Sequence, residues 1–166
     1  VKQGEFQVAR LPSDILTCVL GSCIAACFFD TSVKIGGMNH FLLPGRDPNA
    51  SGEIKYGAHA MEQLVNAMLR AGAARHRLQV RIFGGAKMIK TAGHIGANNA
   101  LFAKNFIREE GFTLIQNDTG GMFGRRLKFS ATTGAAQVEI LRDPIHASGL
   151  KPASPPPKPK GSVELF

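Results

Sequence analysis

The chain has 166 residues, 44% hydrophobic and 19% charged, which suits one globular domain with a sizeable core and excludes two large domains or a wholly disordered polymer. Lys and Arg number 20 against 12 Asp and Glu, a formal charge of +8 that draws anionic partners over long range but serves solubility as readily as binding. The 3 cysteines, an odd count crowded into one apolar stretch, exclude the disulfide framework of a small secreted protein and make a reducing compartment the default.

The apolar run Ile15 to Leu20 reads as a strand, and Gly21-Ser22 interrupts it before a second run, Ile24 to Phe29, that ends at Asp30. The expectation is strand, tight turn, strand. A helix capped by Ser22 is the rival for the second run, because Ala25 and Ala26 favour helix and periodicity does not separate the two. Together these runs are too short to span a membrane as one helix, so they are expected to be core, with no membrane insertion. Leu20-Gly21-Ser22-Cys23 also has the form of a bacterial lipoprotein cleavage box, but the apolar run before it is shorter than a signal segment requires. Val33 to Leu43 is a further strand candidate, broken by Gly36-Gly37 and closed by Pro44, and Gly45 to Gly52 is expected to be a polar loop.

Met61, Leu64, Val65, Met68 and Leu69 recur at helical spacing, predicting an amphipathic helix over 56–70 that stops at Gly72. Leu78, Val80 and Ile82 alternate with Gln79 and Arg81, the period of a half-buried strand, ended by Gly84-Gly85. A second helix is predicted over 97–110, with Phe102, Phe106 and Ile107 inward, then a short strand from Phe112 to Gln116. Leu127, Phe129 and Ala131 alternate with polar residues, and Thr133-Gly134 turns the chain into Val138 and Ile140, which predicts a hairpin. Residues 1–146 are read as one domain. Residues 147–166, with Pro155-Pro156-Pro157 and Lys151, Lys158 and Lys160, read as an extended tail.

Cys23 is the thiol placed for chemistry. It follows a glycine turn, where small neighbours expose the sulfur and leave the backbone N–H groups of Ser22 and Cys23 free to face a developing oxyanion. Cys18 and Cys27 lie inside apolar runs, where a cysteine acts as a small inert hydrophobe. A nucleophilic thiol needs a base, and His40 is the nearest imidazole downstream; His59, His76, His94 and His146 have no evident thiol partner and read as structural or solvated. The cysteine spacings of four and three residues hold no Cys-x2-Cys knuckle, so no metal site is expected, and Gly84-Gly85 and Gly120-Gly121 lack phosphate-loop spacing and read as tight turns. No long basic run occurs, and with one Tyr and no Trp there are few stacking platforms, so nucleic acid is not an expected partner.

Thr17 with Leu20-Gly21-Ser22-Cys23, His40-Phe41-Leu42-Leu43-Pro44, Gly84-Gly85-Ala86, Ile95-Gly96-Ala97-Asn98 and Asp118-Thr119-Gly120-Gly121 occur in an order that closely resembles the chemoreceptor glutamine deamidase family, CheD. The resemblance spans roughly residues 4 to 142. It implies an α/β (α+β) fold of mixed sheets flanked by helices, akin to the catalytic domain of deamidating bacterial toxins. It implies Cys23 as nucleophile, His40 as its partner and Thr17 as the third member of a triad, with no cofactor. It also implies glutamines on cytoplasmic helices of methyl-accepting chemotaxis receptors as substrates, methylesterase activity at the same sites, and the phosphatase CheC as a regulatory partner. Asn98-Asn99 departs from the pattern, since the family more often has an Arg in that segment. The competing reading is a binding module that regulates a receptor or CheC by contact, without catalysis.

Overall fold

The computed structural model describes residues 1–43, 51–88 and 94–142. Pro44, most of the expected polar loop, Pro144, His146 and the Pro/Lys-rich tail lie outside the described residues. The elements run β1 (Phe6–Ala9), β2 (Ile15–Leu20), β3 (Ile24–Asp30), β4 (Ile35–Phe41), α1 (Ser51–Arg70), a single 3-10 turn (Arg75–Arg77), β5 (Gln79–Gly84), α2 (Ile95–Glu109), β6 (Thr113–Thr119), β7 (Gly124–Ser130) and β8 (Ala136–Leu141). They form a five-stranded sheet in the order β1-β4-β3-β5-β6 and a three-stranded sheet in the order β2-β7-β8. All pairings are antiparallel except β5 with β6, so the large sheet is mixed and the fold is α+β.

The large sheet is the middle of three layers. One face carries α1 and α2, with Met61, Leu64, Val65 and Met68 from the first and Phe102, Ala103, Phe106 and Ile107 from the second packed on Ile24, Ala26, Phe28, Val80 and Ile82. The other face carries the small sheet, whose Leu16, Cys18, Leu20, Leu127 and Phe129 meet Ala25, Cys27, Phe29, Met38 and Phe83. β3 is therefore buried on both faces at every position. Each large apolar side chain sealed this way contributes about 2 kcal/mol, and Phe28 adds an edge-on contact with Phe112 at 5.2 Å between centroids.

Two-sided burial explains why the sequence pattern left strand and helix open for Ile24 to Phe29, and the strand is what forms. β2 and β3 do not pair with each other. The turn at 21–23 is instead the step from the small sheet to the large one, which sets Cys23 at the rim between layers. Gly36-Gly37 does not break β4: a Cβ at Gly36 would strike the backbone of Ala131, so glycine there admits the close approach of the two sheets. Helix α1 begins at Ser51, five residues before the expected start, and β6 runs on to Thr119 because it pairs in parallel with β5 to the end.

Asn39 and Asn99 tie the layers near the site. Asn39, buried on β4, accepts from the Ala26 N–H at 3.1 Å and donates to the Ala60 carbonyl of α1 at 3.1 Å. Asn99, fully buried on α2, accepts from the Leu43 N–H at 2.7 Å and donates to the Ile95 carbonyl at 2.8 Å. The segment carrying His40 is thus fixed to both helices by hydrogen bonds that burial makes costly to lose.

Candidate active site

Cys23 sits one residue before β3, in a turn held from behind by the loop after β5. The Gly85 N–H donates to the Cys23 carbonyl and the Ala86 N–H to the Gly21 carbonyl, both at 2.8 Å. Gly84 has φ +108, and a Cβ there would collide with the Cys23 carbonyl oxygen. The next layer is equally close, since a Cβ at Gly96 would lie 2.5 Å from the Gly85 carbonyl oxygen. The Gly84-Gly85 pair that reads as an ordinary turn is therefore the packing surface under the nucleophile turn.

The Gly120-Gly121 turn belongs to the same assembly. Its Gly120 N–H donates to the Gly84 carbonyl, and the Gly121 carbonyl accepts from the Lys87 N–H, each at 2.9 Å. Asp118 closes it by binding the buried Arg125 guanidinium at 2.9 and 3.1 Å, a clasp from β6 of the large sheet to β7 of the small one. Met88 packs over Gly21, where a Cβ would come within 3.0 Å of its Cγ.

His40 reaches the site from β4. Its register partner on β3 is Ala25, whose face of the sheet packs against the same cluster as Cys23, in the turn just before that strand. The ring is buried, with 6% of the residue exposed. Nδ1 lies 3.2 Å from the Val1 carbonyl oxygen. A carbonyl only accepts, so Nδ1 carries the proton and Nε2 keeps its lone pair. That Nε2 is buried and has no hydrogen-bond partner among the described residues, the state of a base awaiting a proton.

Of the three cysteines, Cys18 and Cys27 are buried and Cys23 is partly exposed. Burial pushes the Cys23 thiol up to about 11, while its own backbone N–H, aimed at the sulfur, pulls it back down. Cys18 is pushed up to about 12 and Cys27 well above the ordinary thiol value, chiefly by burial. Burial also pulls His40 below 6.5, against the Val1 carbonyl, which favours the protonated ring. The resting pair is therefore a neutral thiol and a neutral imidazole rather than a thiolate and an imidazolium.

The sulfur has an occupant. Cys23 Sγ donates to the Gln3 side-chain carbonyl oxygen at 3.3 Å, so the first residues of the chain lie across both groups. Thr17 stands on β2 with its side chain on the exposed face, opposite that of Leu16 and Cys18, and its backbone carbonyl accepts from the Val1 nitrogen at 2.6 Å. The structure thus brings Cys23 and His40 onto one face and joins Thr17 to them through the backbone of Val1. Val1, Gln3 and Met88 were not singled out in the sequence, and nothing in their local pattern marks them.

Residues 42–140 match the family described as CheD chemotactic sensory transduction. A protein of Jannaschia sp. (strain CCS1) described as a probable chemoreceptor glutamine deamidase CheD is 46% identical over 166 residues, covering 100% of this chain and 93% of its own. The chain belongs to the CheD family. Proteins with the same description from Rhizobium leguminosarum bv. trifolii (strain WSM2304) and Caulobacter vibrioides (strain NA1000 / CB15N) are 44% and 43% identical, covering 99% and 100% of this chain and 93% and 91% of their own. The family match begins after Cys23 and His40, whereas these CheD relatives align over the segment that holds both. Among the described residues, no helix is long and apolar enough to cross a membrane.

Proposed function

We propose that this chain is a protein-glutamine deamidase acting on methyl-accepting chemotaxis receptors, with Cys23 as nucleophile and His40 as its base. His40 Nε2 takes the thiol proton as sulfur attacks the side-chain carbonyl carbon, and the same proton passes to departing ammonia. Water then adds to the thioester with His40 again as base, leaving glutamate and the restored thiol. Backbone N–H groups at Ser22 and Cys23 stabilise each tetrahedral oxyanion. A glutamyl methyl ester follows the same route with methanol as the leaving group. Thr17 positions His40 only indirectly, through the Val1 nitrogen that its carbonyl holds.

The observation that carries this reading is the partly exposed thiol, set in a glycine-backed turn, and, touching the same N-terminal segment, an imidazole whose Nε2 is buried, unprotonated and without a partner among the described residues. The descriptions of the CheD relatives supply the substrate class. The substrates place its work in the cytoplasm, and CheC is the regulatory partner we assign to it. Incubation with a purified receptor cytoplasmic fragment is expected to release ammonia and add about one dalton per converted glutamine, the mass difference between amide and acid. Cys23→Ala is expected to abolish both while the fragment is still bound. Binding of the fragment by the wild type with neither ammonia release nor mass change, together with an unchanged cellular effect of Cys23→Ala, would instead mark this chain as a binding module with no thiol chemistry.

A further inference from the structure

We propose that Gln3 is an intramolecular substrate of Cys23, a self-deamidation site at which the chain converts its own carboxamide to a carboxylate. The inference rests on the Cys23–His40 reading above. The group found against the nucleophile is the functional group a glutamine deamidase attacks, with its carbonyl oxygen 3.3 Å from Sγ. It is delivered by a fixed segment. The Gly4 N–H donates to the His40 carbonyl at 2.7 Å and the His40 N–H to the Glu5 carbonyl at 3.0 Å, after which β1 continues the ladder on β4 from Phe6 opposite Asn39.

The same segment prepares the base. The Val1 carbonyl, two residues before Gln3, accepts from His40 Nδ1 and so leaves Nε2 as the ring's free lone pair. Gln3 is exposed, so water reaches the thioester once it forms. The step balances as the receptor reaction does: the thiol proton moves to His40, sulfur bonds to Cδ of Gln3, the Cδ–Nε2 bond breaks and the amide leaves as ammonia with the His40 proton. One water then cleaves the thioester, giving a glutamate side chain at position 3 and the free thiol. Holding carboxamide and thiol in one molecule raises their effective concentration far above that of a receptor glutamine in solution.

The test is peptide mapping of the full chain after incubation at neutral pH in 18O-labelled water, beside a receptor fragment treated in the same way. In the wild type, the peptide carrying Gln3 is expected to gain about three daltons, since one labelled oxygen replaces the amide nitrogen. The rate should not depend on protein concentration. Gln7, Gln63, Gln79, Gln116 and Gln137 should keep their mass, and Cys23→Ala and Cys23→Ser should slow conversion at least about 10³-fold. Unlabelled acid already at position 3 in the purified wild type and absent from both variants counts as the same result. Gln3 unchanged beside a converted receptor fragment overturns the proposal and leaves the deamidase reading intact, as does a rate that rises with protein concentration. Gln3 and receptor both unchanged overturn the two together.

Discussion

Replacing His40 with alanine is expected to lower kcat/KM for receptor deamidation about 10³-fold at pH 7, within the range a positioned general base supplies. The size follows from the resting state. With the Cys23 thiol near 11, only about one molecule in 10⁴ holds a thiolate at pH 7 without help. The residual rate of His40→Ala should therefore climb about tenfold per pH unit between 7 and 10, as hydroxide does what the imidazole did. The wild type should stay level over that range. It should lose activity only as His40 takes a proton, and because burial holds that ring below 6.5 the acid limb lies below pH 6.5. A merely structural role for His40 would give no such recovery in alkali. Thr17→Ala should cost less than about tenfold, since its side chain lies on the outer face of β2 and its carbonyl survives the substitution. Equal, near-total losses for Thr17, His40 and Cys23 would contradict that ranking.

The second large effect is expected at Gly84, far from any reacting atom in chemical character but pressed against the nucleophile turn. An added Cβ meets two obstacles there, a positive φ of +108 and the Cys23 carbonyl oxygen behind it, and the obstacle is backbone that does not swing aside. Gly84→Ala should cost about 3 kcal/mol or more, a fall in Tm of about 6–12 °C for a chain of this size. Gly111→Ala is the matched control. It has φ +71 but nothing within 4 Å of its Cβ, so it carries the backbone penalty alone, about 1–2 kcal/mol. In the folded fraction, Gly84→Ala should lose activity because the Gly85–Cys23 hydrogen bond is displaced, while Gly111→Ala should keep it. Thermal melts read beside ammonia release separate the two, and equal losses for both variants would remove the close approach as the cause.

The elements legible in the sequence are those with one wet face. Leu127 and Phe129 on β7 alternate with polar neighbours, so their period survives in the sequence, whereas β2 alternates in burial but reads as an apolar run because its exposed Ile15 and Val19 are apolar too. β3 has no wet face and hence no period, and β1 has four residues, too few to show one beyond Phe6 and Val8. The polar end of β6, Asn117 to Thr119, looks like a loop until parallel pairing with β5 supplies its hydrogen bonds. At the site, Cys23 was visible through its glycine turn and His40 through the order of motifs it shares with the CheD family. Gly84-Gly85 was visible as a turn but not as a bearing surface, because the carbonyls it admits come from Cys23 and Gly96. Gln3 and Val1 carry no local signal. Their place over Cys23 and His40 arises from pairing between residues more than thirty positions apart, from Gly4 and Glu5 to His40.

The account requires a covalent bond between one sulfur and a glutamine side-chain carbon, and trapping that bond tests it most directly. The chain would be mixed with a receptor peptide bearing a target glutamine, quenched in acid during turnover and digested, and the Cys23 peptide weighed. The expected adduct equals the peptide mass less one ammonia, carried on Cys23 and not on Cys18 or Cys27, whose thiols are buried on either side of the interlayer core. Full deamidation with no adduct on Cys23, or turnover that survives Cys23→Ala, would contradict it.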